Sequence, residues 1–293
     1  MDVKLLLVLF CVIPIITIDC KRPTHTPQHV YKFSHEPIDV VFVCHPKDIR
    51  ALDLAIEGIK KNGENIKRVI VVSSQKLTNL AEWFEETLYP FTKEDVALEM
   101  FNGIQAAAYN FCTDPKSRLG WIYQQLLKLY APFVIPDISS NVLIVDADTI
   151  FLNPTTFMDS AGNPLFNVSN EFQPIYFQHA ALLVPGFKKL FRNYSGIAHH
   201  MLFQKPVLED LFAVIKSTHA LEPWRALCKC IDLKHIYGSP LSEYEIYFNF
   251  IFARTKQAKV RLLTWSNIVF NHYEIERYKQ NGYHYVCCHT WMS

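Results

Sequence analysis

The sequence contains no run of basic residues, no C-x-x-C pair and no internal repeat or low-complexity tract. Its formal net charge is +1, and without a basic run it lacks the electrostatic signature of a nucleic-acid-binding protein. Cys228/Cys230 and Cys287/Cys288 are too closely spaced for a zinc knuckle. Because 50% of the 293 residues are hydrophobic, the chain can form one substantial globular domain, or a domain with an elaborated second half.

The apolar run of residues 5–18 follows Lys4 and is shorter than the roughly 20 residues of a membrane span. Its length and position predict a signal peptide or short signal anchor over residues 1–19, the alternative being a buried strand or helix. Residues 20–37, with Pro23, Pro27 and Pro37, are predicted to be a linker. We therefore expect a membrane-associated or secretory-pathway protein, although the sequence leaves open a domain that faces the cytoplasm.

The first half of the chain alternates short apolar runs with helix-periodic segments. Continuous apolar runs predict buried strands, and apolar residues spaced three and four apart predict helices. The predicted order is strand 38–43, helix 48–61, strand 68–73, helix 77–89, weaker strand 96–101, helix 119–130 and strand 142–145. Pro132 is expected to end the last of these helices. This rhythm is typical of an α/β protein with a doubly wound, mostly parallel sheet.

The rhythm changes after residue 150. Residues 173–184 look like a strand, and His199-His200 precede the apolar start of a helix. Further helices are predicted at 206–218, 222–231 and 242–254, and two short strands within 261–271. We expect this half to elaborate the same sheet rather than form a separate domain.

Asp146-Ala147-Asp148 directly follows the apolar run of residues 142–145. In doubly wound sheets, ligands bind beyond the carboxyl ends of the strands. Two carboxylates this close repel each other unless a cation compensates their charge, and hard oxygen ligands suit Mg²⁺ or Mn²⁺. The acidic pair therefore predicts a divalent metal site. The alternative is a solvated loop with two incidental aspartates.

Four segments together resemble bacterial and viral glycosyltransferases of the GT-A type: LGWIYQQLLKLY (119–130), VLIVDADTIFLNP, HHMLF (199–203) and SEYEIYFNF (242–250). The resemblance implies a GT-A-like, Rossmann-like mixed and mostly parallel sheet flanked by helices, with a helical acceptor-side elaboration. It divides a domain of residues 38–293 into a nucleotide-sugar-binding half (38–150) and an acceptor half (151–293). The implied reaction moves a sugar from a UDP- or GDP-sugar to a hydroxyl of a glycan, lipid or protein, in glycan or polysaccharide assembly.

The resemblance also implies roles for individual residues. Asp148 would be the principal ligand of Mn²⁺ or Mg²⁺, and Asp146 would contact the ribose or the metal shell. Some GT-A families add a C-terminal histidine, for which His289 is the first choice and His272 the second. Glu243 would be the general base of an inverting transfer, whereas a retaining transfer would need no such base. Glu243 also follows Ser242, a plausible N-cap, so a capping role alone would account for an acid there.

Four further residues are candidate donor-binding residues. Cys44 and His45 follow the first strand, where the resemblance places nucleotide contacts; an ordinary strand-to-helix turn is the alternative. Arg118 at the start of the 119–130 helix could attract phosphate. Gln125 shares a polar helix face with Gln124 and Lys128, which we otherwise expect to be a solvated face.

Two other functions remain open at this point. The segment VLIVDADT also satisfies the motif of haloacid-dehalogenase-like phosphatases, in which Asp146 would be the nucleophile and Asp148 a general acid. That motif lies on the first strand of its fold, whereas three strands are predicted before Asp146 here. A sugar-binding protein of the same fold without turnover is the third candidate.

Overall fold

The computed structural model describes residues 29 to 289, and its centre is a five-stranded sheet with the strand order β3-β2-β1-β4-β7. The first four of these strands run parallel, and β7 runs antiparallel to β4. In this part of the chain the strands are β1 (Ile38–Val43), β2 (Ile66–Ser73), β3 (Glu82–Glu85), β4 (Asn141–Asp146), β5 (Thr149–Phe151), β6 (Leu165–Phe166), β7 (His200–Gln204), β8 (Lys259–Val260), β9 (Trp265–Ile268) and β10 (Tyr285–Cys288). The predicted mixed α/β fold with a mostly parallel sheet is thus confirmed.

Helices cover the central sheet on both faces. In the described residues they are α1 (Leu52–Asn62), α2 (Lys93–Met100), α3 (Gln105–Thr113), α4 (Leu119–Val134), α5 (Pro174–Leu183), α6 (Lys205–His219), α7 (Pro223–Lys229), α8 (Glu243–Arg254) and α9 (His272–Gln280). Side chains alternate between faces along each strand. Thus Val41 and Val43 pack with α4, α6 and α8, whereas Val40 and Phe42 pack with α1. No helix between residues 29 and 289 combines the length and apolarity needed to span a bilayer.

The strand order reverses between β1 and β4. From β1 the chain passes through α1 to β2 and then β3 on one side, whereas β4 lies on the other side of β1. All six residues of β1 are buried, which accounts for the continuous apolar run that predicted it. Val43 at the end of β1 is in register with Asp146 at the end of β4. This reversal is the point where open α/β sheets form a ligand crevice.

Two predicted elements of the first half have the wrong type. Residues 77–89 form no α-helix: β3 pairs with the edge of β2, and its charged Glu82 and Glu85 suit an edge strand. Residues 96–101, predicted as a strand, belong largely to α2. That helix begins with a capping box, in which the Thr92 hydroxyl accepts from Asp95 N and the Asp95 carboxylate accepts from Thr92 N. The prediction used the apolar pattern alone and did not take the Thr92–Asp95 capping box into account.

Two further predictions, one of a strand and one of a helix end, also require correction. Residues 173–184, predicted as a strand, contain the helix α5 with Pro174 in its first turn, where proline is well tolerated. A short apolar run does not by itself distinguish a strand from a helix. Pro132 does not end α4, which continues to Val134. Pro132 cannot donate a backbone hydrogen bond, but only two further residues follow it in the helix.

The predicted leader (1–19) lies outside the described residues, as does the first part of the predicted linker (20–37). The described part of that linker packs on the domain: Tyr31 is buried, and its hydroxyl donates to Asp210 at 2.5 Å. At the other end of the chain, β10 pairs with β5 and β9 in a three-stranded sheet. Residues from the second half therefore lie beside the turn that follows β4.

Candidate functional site at the carboxyl ends of β1 and β4

A cavity of about 350 Å³ lies where β4 ends. Its wall includes Asp146, Asp148, Glu243, His289, Arg118 and Trp121. A second cavity of about 230 Å³ lies beyond the end of β1 and shares Arg118, Trp121 and Gln124 with the first. The two cavities therefore adjoin along the first turns of α4, at the reversal of the strand order.

Asp146 is the last residue of β4, and cations and donors surround its carboxylate. Its Oδ1 accepts from Lys128 Nζ at 2.6 Å and from the Tyr244 hydroxyl at 3.1 Å. His199 Nδ1 lies 3.6 Å from Oδ2. Burial alone would raise the pKa of Asp146, but Lys128 and His199 outweigh it and hold that pKa well below its usual range. Asp146 is therefore ionised without any bound metal.

Lys128 is the cation at the centre of this cluster. Its side chain is 4% exposed, and its ammonium also donates to Glu243 Oε1 at 2.8 Å. Burial lowers the pKa of Lys128, but the charges of Asp146 and Glu243 raise it above its ordinary value. The expectation that Lys128 lies on a solvated helix face was therefore wrong. Helix α8 covers this face of α4 and buries the ammonium against two carboxylates.

Glu243 begins α8 and is buried at the cavity wall. The Ser242 hydroxyl accepts from Glu245 N at 3.3 Å, so the predicted N-cap is confirmed. Burial raises the pKa of Glu243, while the Lys128 ammonium opposes that rise. Its carboxylate thus faces both Lys128 and the cavity, and it is more than a helix-capping acid.

Asp148 lies in the turn after β4 and contacts His289 across the entrance of the cavity. Asp148 Oδ2 and His289 Nδ1 are 2.9 Å apart, and the two side chains are 28% and 15% exposed. Burial lowers the pKa of His289, but its hydrogen bond to Asp148 and that carboxylate's charge raise it overall. The backbone amide of Cys288 donates to the Asp148 carbonyl at 2.9 Å. Strand β10 thereby positions the turn and the histidine together.

Among residues 29–289, no three His, Cys, Asp or Glu side chains form a ready-made metal cluster. The pair Asp148 and His289 nevertheless fits a hard divalent ion, since Mg²⁺ and Mn²⁺ bind through one or two protein ligands and complete their shell with phosphate and water. His272, the second choice, begins α9 and packs on Phe270 at 5.2 Å between ring centroids. It is not part of the cavity wall.

The predicted donor-binding residues divide between the two cavities. Cys44 and His45 line the smaller one. Burial and the charges of Asp48 and Asp148 raise the pKa of the Cys44 thiol to about 12, so this thiol is neutral. His45 Nδ1 accepts from Lys47 N at 3.2 Å and caps the short 3₁₀ turn that follows. His45 thus has the structural role that an ordinary strand-to-helix turn predicts.

Arg118 and Gln125 lie at the larger cavity. Arg118 precedes α4 and reaches Gly238 O and Ser239 Oγ, each at 3.4 Å. Its guanidinium also lies 5.5 Å from the ring of Trp121. Gln125 is buried and donates to the Trp121 carbonyl at 3.1 Å. Arg118 is thus the cationic side chain shared by both cavities.

His200 begins strand β7 and His199 directly precedes it, so the pair leads into a strand and not directly into a helix as predicted. His199 adopts φ 61° and turns its ring toward Asp146 and the cavity. His200, the next residue, points away from Asp146, into the rings of Phe151 and Tyr285. Burial lowers the pKa of His200 to about 3, with help from neighbouring positive charge. Of these two adjacent histidines, His199 is the one that lines the cavity.

His179 lies in the segment 173–184. It is buried in α5, where its Nε2 lies 2.9 Å from the Leu227 carbonyl oxygen. It lies outside the wall of either cavity. Its contacts are those of a structural core histidine.

Arg261 is a second buried cation, behind the aromatic residues that surround His200. Its Nη1 donates to Thr156 Oγ1 at 3.2 Å, and its guanidinium lies 5.5 Å from the ring of Phe157. Its Nε and Nη2 have no hydrogen-bond acceptor within residues 29–289. Burial lowers the pKa of Arg261 to about 10.

Sequence reasoning missed the roles of Lys128, Tyr244 and His199 around Asp146. One signal was present for Lys128: it is flanked by apolar residues on both sides in LLKLY. A lysine in a buried helix must find a counter-charge.

Comparison with known proteins assigns no family. No model of a known protein family matches the chain, and no curated protein matches it as a relative.

Proposed function

We propose that the chain is a metal-dependent glycosyltransferase of the GT-A type. It would transfer a sugar from a UDP- or GDP-sugar to a hydroxyl of a glycan, lipid or protein. One observation carries this proposal: Asp148 and His289, which are 141 positions apart, meet beside Asp146 in a cavity at the reversal of the strand order. Such an arrangement supplies cation ligands where α/β sheets bind their substrates.

Asp148 and His289 would hold Mn²⁺ or Mg²⁺, exchanging their mutual contact for the ion. When bound, such an ion stabilises the negative charge that grows on the leaving diphosphate. Asp146, kept ionised by Lys128, would position the donor through the ribose or the metal's water shell. Arg118 offers a further positive charge to the diphosphate from the wall that both cavities share.

Glu243 is proposed as the general base of an inverting transfer. Its raised pKa supports this role, because a carboxylate with a higher pKa accepts the proton of a hydroxyl more readily. Lys128, hydrogen-bonded to Glu243, would stabilise the ionised form before transfer. The division into a donor half (38–150) and an acceptor half (151–293) remains a prediction: Glu243, the proposed base, comes from the second half, but so does His289, a proposed metal ligand.

The test is isothermal titration of UDP- and GDP-sugars, with and without Mn²⁺, on the wild type and Asp148→Asn. We expect Asp148→Asn to weaken Mn²⁺-dependent binding by about 10- to 100-fold, as loss of a group that supports a metal typically does. Asp159→Asn is the matched control, because Asp159 also forms an ion pair, with Lys259 at 2.6 Å, but lies away from the cavity.

Other outcomes would identify the alternatives. Full sugar-nucleotide affinity and an unchanged manganese response in Asp148→Asn would overturn the proposal. Hydrolysis of a simple phosphate ester without sugar-nucleotide binding would favour the phosphatase, although Asp146 ends the fourth strand here rather than the first. Sugar-nucleotide binding without turnover on any acceptor would indicate a non-catalytic binding protein.

A further inference from the structure

Helix α5 has an exposed face without charge. Its sequence, PIYFQHAALL, contains no Asp, Glu, Lys or Arg. The exposed residues are Pro174, Gln178, Ala181 and Leu182, which lie on one face at helical spacing. Leu182 is 62% exposed. A helix on the surface of a soluble domain normally carries charged residues on its outer face, so α5 resembles a helix whose outer face is covered.

Aromatic residues extend this face on both sides of the helix. Phe172, which precedes α5, is 51% exposed, and its ring lies 5.5 Å from that of Phe177. Phe177 is in turn 6.2 Å from Phe187, which follows the helix. We call Phe172, the exposed face of α5 and Phe187 the α5 surface.

Basic residues border the α5 surface. Residues 170–195 contain Lys188, Lys189 and Arg192 against a single acid, Glu171. Lys189 Nζ lies 4.2 Å from the centre of the Phe172 ring, so this positive charge directly adjoins the exposed aromatic residue. An uncharged helix face with an exposed leucine, next to a half-exposed phenylalanine and bordered by lysine and arginine, suits contact with an anionic membrane surface, which attracts the basic residues.

We propose that the α5 surface docks on an anionic lipid bilayer. Tyr176, on the inner side of the same helix, lines the 350 Å³ cavity opposite Trp121. Docking would therefore place the cavity next to the lipid headgroups. It follows, on the proposed function, that the hydroxyl acceptor is carried by a membrane lipid or presented at the membrane surface.

The comparison with α3 shows why exposure alone is not sufficient. Ile104, at the start of α3, is 61% exposed, and Tyr109 is 69% exposed. The charged residues closest to α3 in sequence are mainly acidic, namely Glu94, Asp95, Glu99 and Asp114 against Lys93 and Lys116. Because Glu99 is paired with Arg225 and Lys229, this segment is not strongly acidic, but it lacks the surplus of basic residues that borders the α5 surface. Ile104 is therefore a matched control for Leu182.

The experiment measures hydrogen–deuterium exchange of the full chain with phosphatidylcholine vesicles that contain or lack phosphatidylserine. This method resolves α5 from the apolar N-terminal run, which could bind vesicles by itself. We expect exchange in residues 172–190 to slow about tenfold with phosphatidylserine present, because lipid contact suppresses local opening. Leu182→Glu should abolish that protection, whereas Ile104→Glu should leave it unchanged.

Each other outcome counts against the proposal. Unchanged exchange in 172–190 with both kinds of vesicle would overturn it. Equal protection by vesicles without phosphatidylserine would remove the role of the basic border. Protection that appears without vesicles and grows with protein concentration would instead assign the α5 surface to contact between copies of the chain. None of these measurements needs turnover, so they are independent of the proposed transferase activity.

Discussion

Lys128 and Arg261 are both buried cations, but their surroundings differ. Lys128 forms ion pairs of 2.6 and 2.8 Å with two carboxylates at the cavity wall. Arg261 has one hydroxyl and an aromatic ring, and no carboxylate within 4.0 Å in residues 29–289. Accordingly, the pKa of Lys128 is raised by its carboxylates, and that of Arg261 is lowered by burial.

The difference shows that burial does not decide the contribution of a charge; its partners do. Around Lys128, removal of the cation leaves two carboxylates without their shared partner. Around Arg261, removal of the cation leaves only a hydroxyl without its donor. Four substitutions test this contrast, from the largest expected effect to the smallest.

Lys128→Met should have the largest effect. It leaves the buried Glu243 and the partly buried Asp146 without their shared cation, and breaking a buried pair costs about 3–5 kcal/mol of the free energy of unfolding. Urea denaturation at pH 7 measures it. Adding Glu243→Gln should recover part of the loss, because one of the two unpaired charges is then removed. Wild-type stability in Lys128→Met would contradict the comparison.

His200→Phe should make the stability of the protein less dependent on pH. His200 lies next to Arg261. The pKa of His200 in the folded state is about 3, below its ordinary 6.5. The unfolded chain therefore binds a proton that the folded chain does not, so stability is full above about pH 6.5 and falls as the pH drops toward 3. One such proton corresponds to about 1.4 kcal/mol per pH unit.

Below pH 6.5, the wild type should therefore lose stability that His200→Phe keeps. The difference in their free energies of unfolding should grow by that amount per pH unit and reach about 2 kcal/mol at pH 5. The difference in free energy of unfolding between the two proteins at pH 7 reports any change in packing. Differences at lower pH are compared with it. Denaturation curves measured between pH 7 and pH 5 would argue against a neutral buried His200 if the two proteins lost stability in parallel.

Tyr244→Phe should have a smaller effect. It removes the hydroxyl that donates to Asp146 but keeps the ring that lies 4.6 Å from Lys128 Nζ. A hydrogen bond to a charged group contributes about 1.5 kcal/mol or more, so unfolding in urea should become easier by that amount. Tyr237→Phe is the control: its hydroxyl also donates to a carboxylate, that of Asp114, but this tyrosine is 57% exposed. Equal losses in both variants would mean that burial adds nothing to the bond.

Arg261→Met should have the smallest effect, within about 1 kcal/mol of the wild type. A buried cation without an acidic partner is unfavourable, and replacing it with methionine removes that cost. This gain offsets the lost hydrogen bond to Thr156. The same urea measurement applies. A loss as large as that of Lys128→Met would contradict the contrast between the two cations.

The central strands could be predicted because their pattern follows directly from burial. β1, β2 and β4 are covered on both faces over most of their length, so each contains a short continuous apolar run, and alternation of these runs with helix-periodic segments identified them as strands. The short elements could not be predicted from apolar pattern alone. β3 is defined by its pairing with β2, and α2 by the hydrogen bonds between Thr92 and Asp95. α5 is apolar on all sides, so periodicity carries no information about it.

The candidate site could be predicted only in part from the sequence. The place of Asp146 and Asp148 at a strand end follows from local pattern. The proximity of His289 does not, because it depends on β10 pairing with β5 across the whole second half; it was expected only from a resemblance. The partner of Lys128 depends on which face of α4 is covered by α8, a tertiary contact. The roles proposed for these residues stay predictions until donor binding is measured.

The sequence separation of the partners around the acidic pair has a consequence for biosynthesis. Lys128 precedes Asp146 by 18 residues, whereas His289 follows Asp148 by 141. At about 5–20 residues per second, roughly 7–28 s separate the translation of Asp148 from that of its histidine. Lys128 and Asp146 are translated close together in time, but α8, which covers their contact, follows much later, and the Asp148 turn meets His289 only after translation has reached residue 289. On the proposed function, a nascent chain could therefore hold a metal and a sugar nucleotide only once the fold around the site exists.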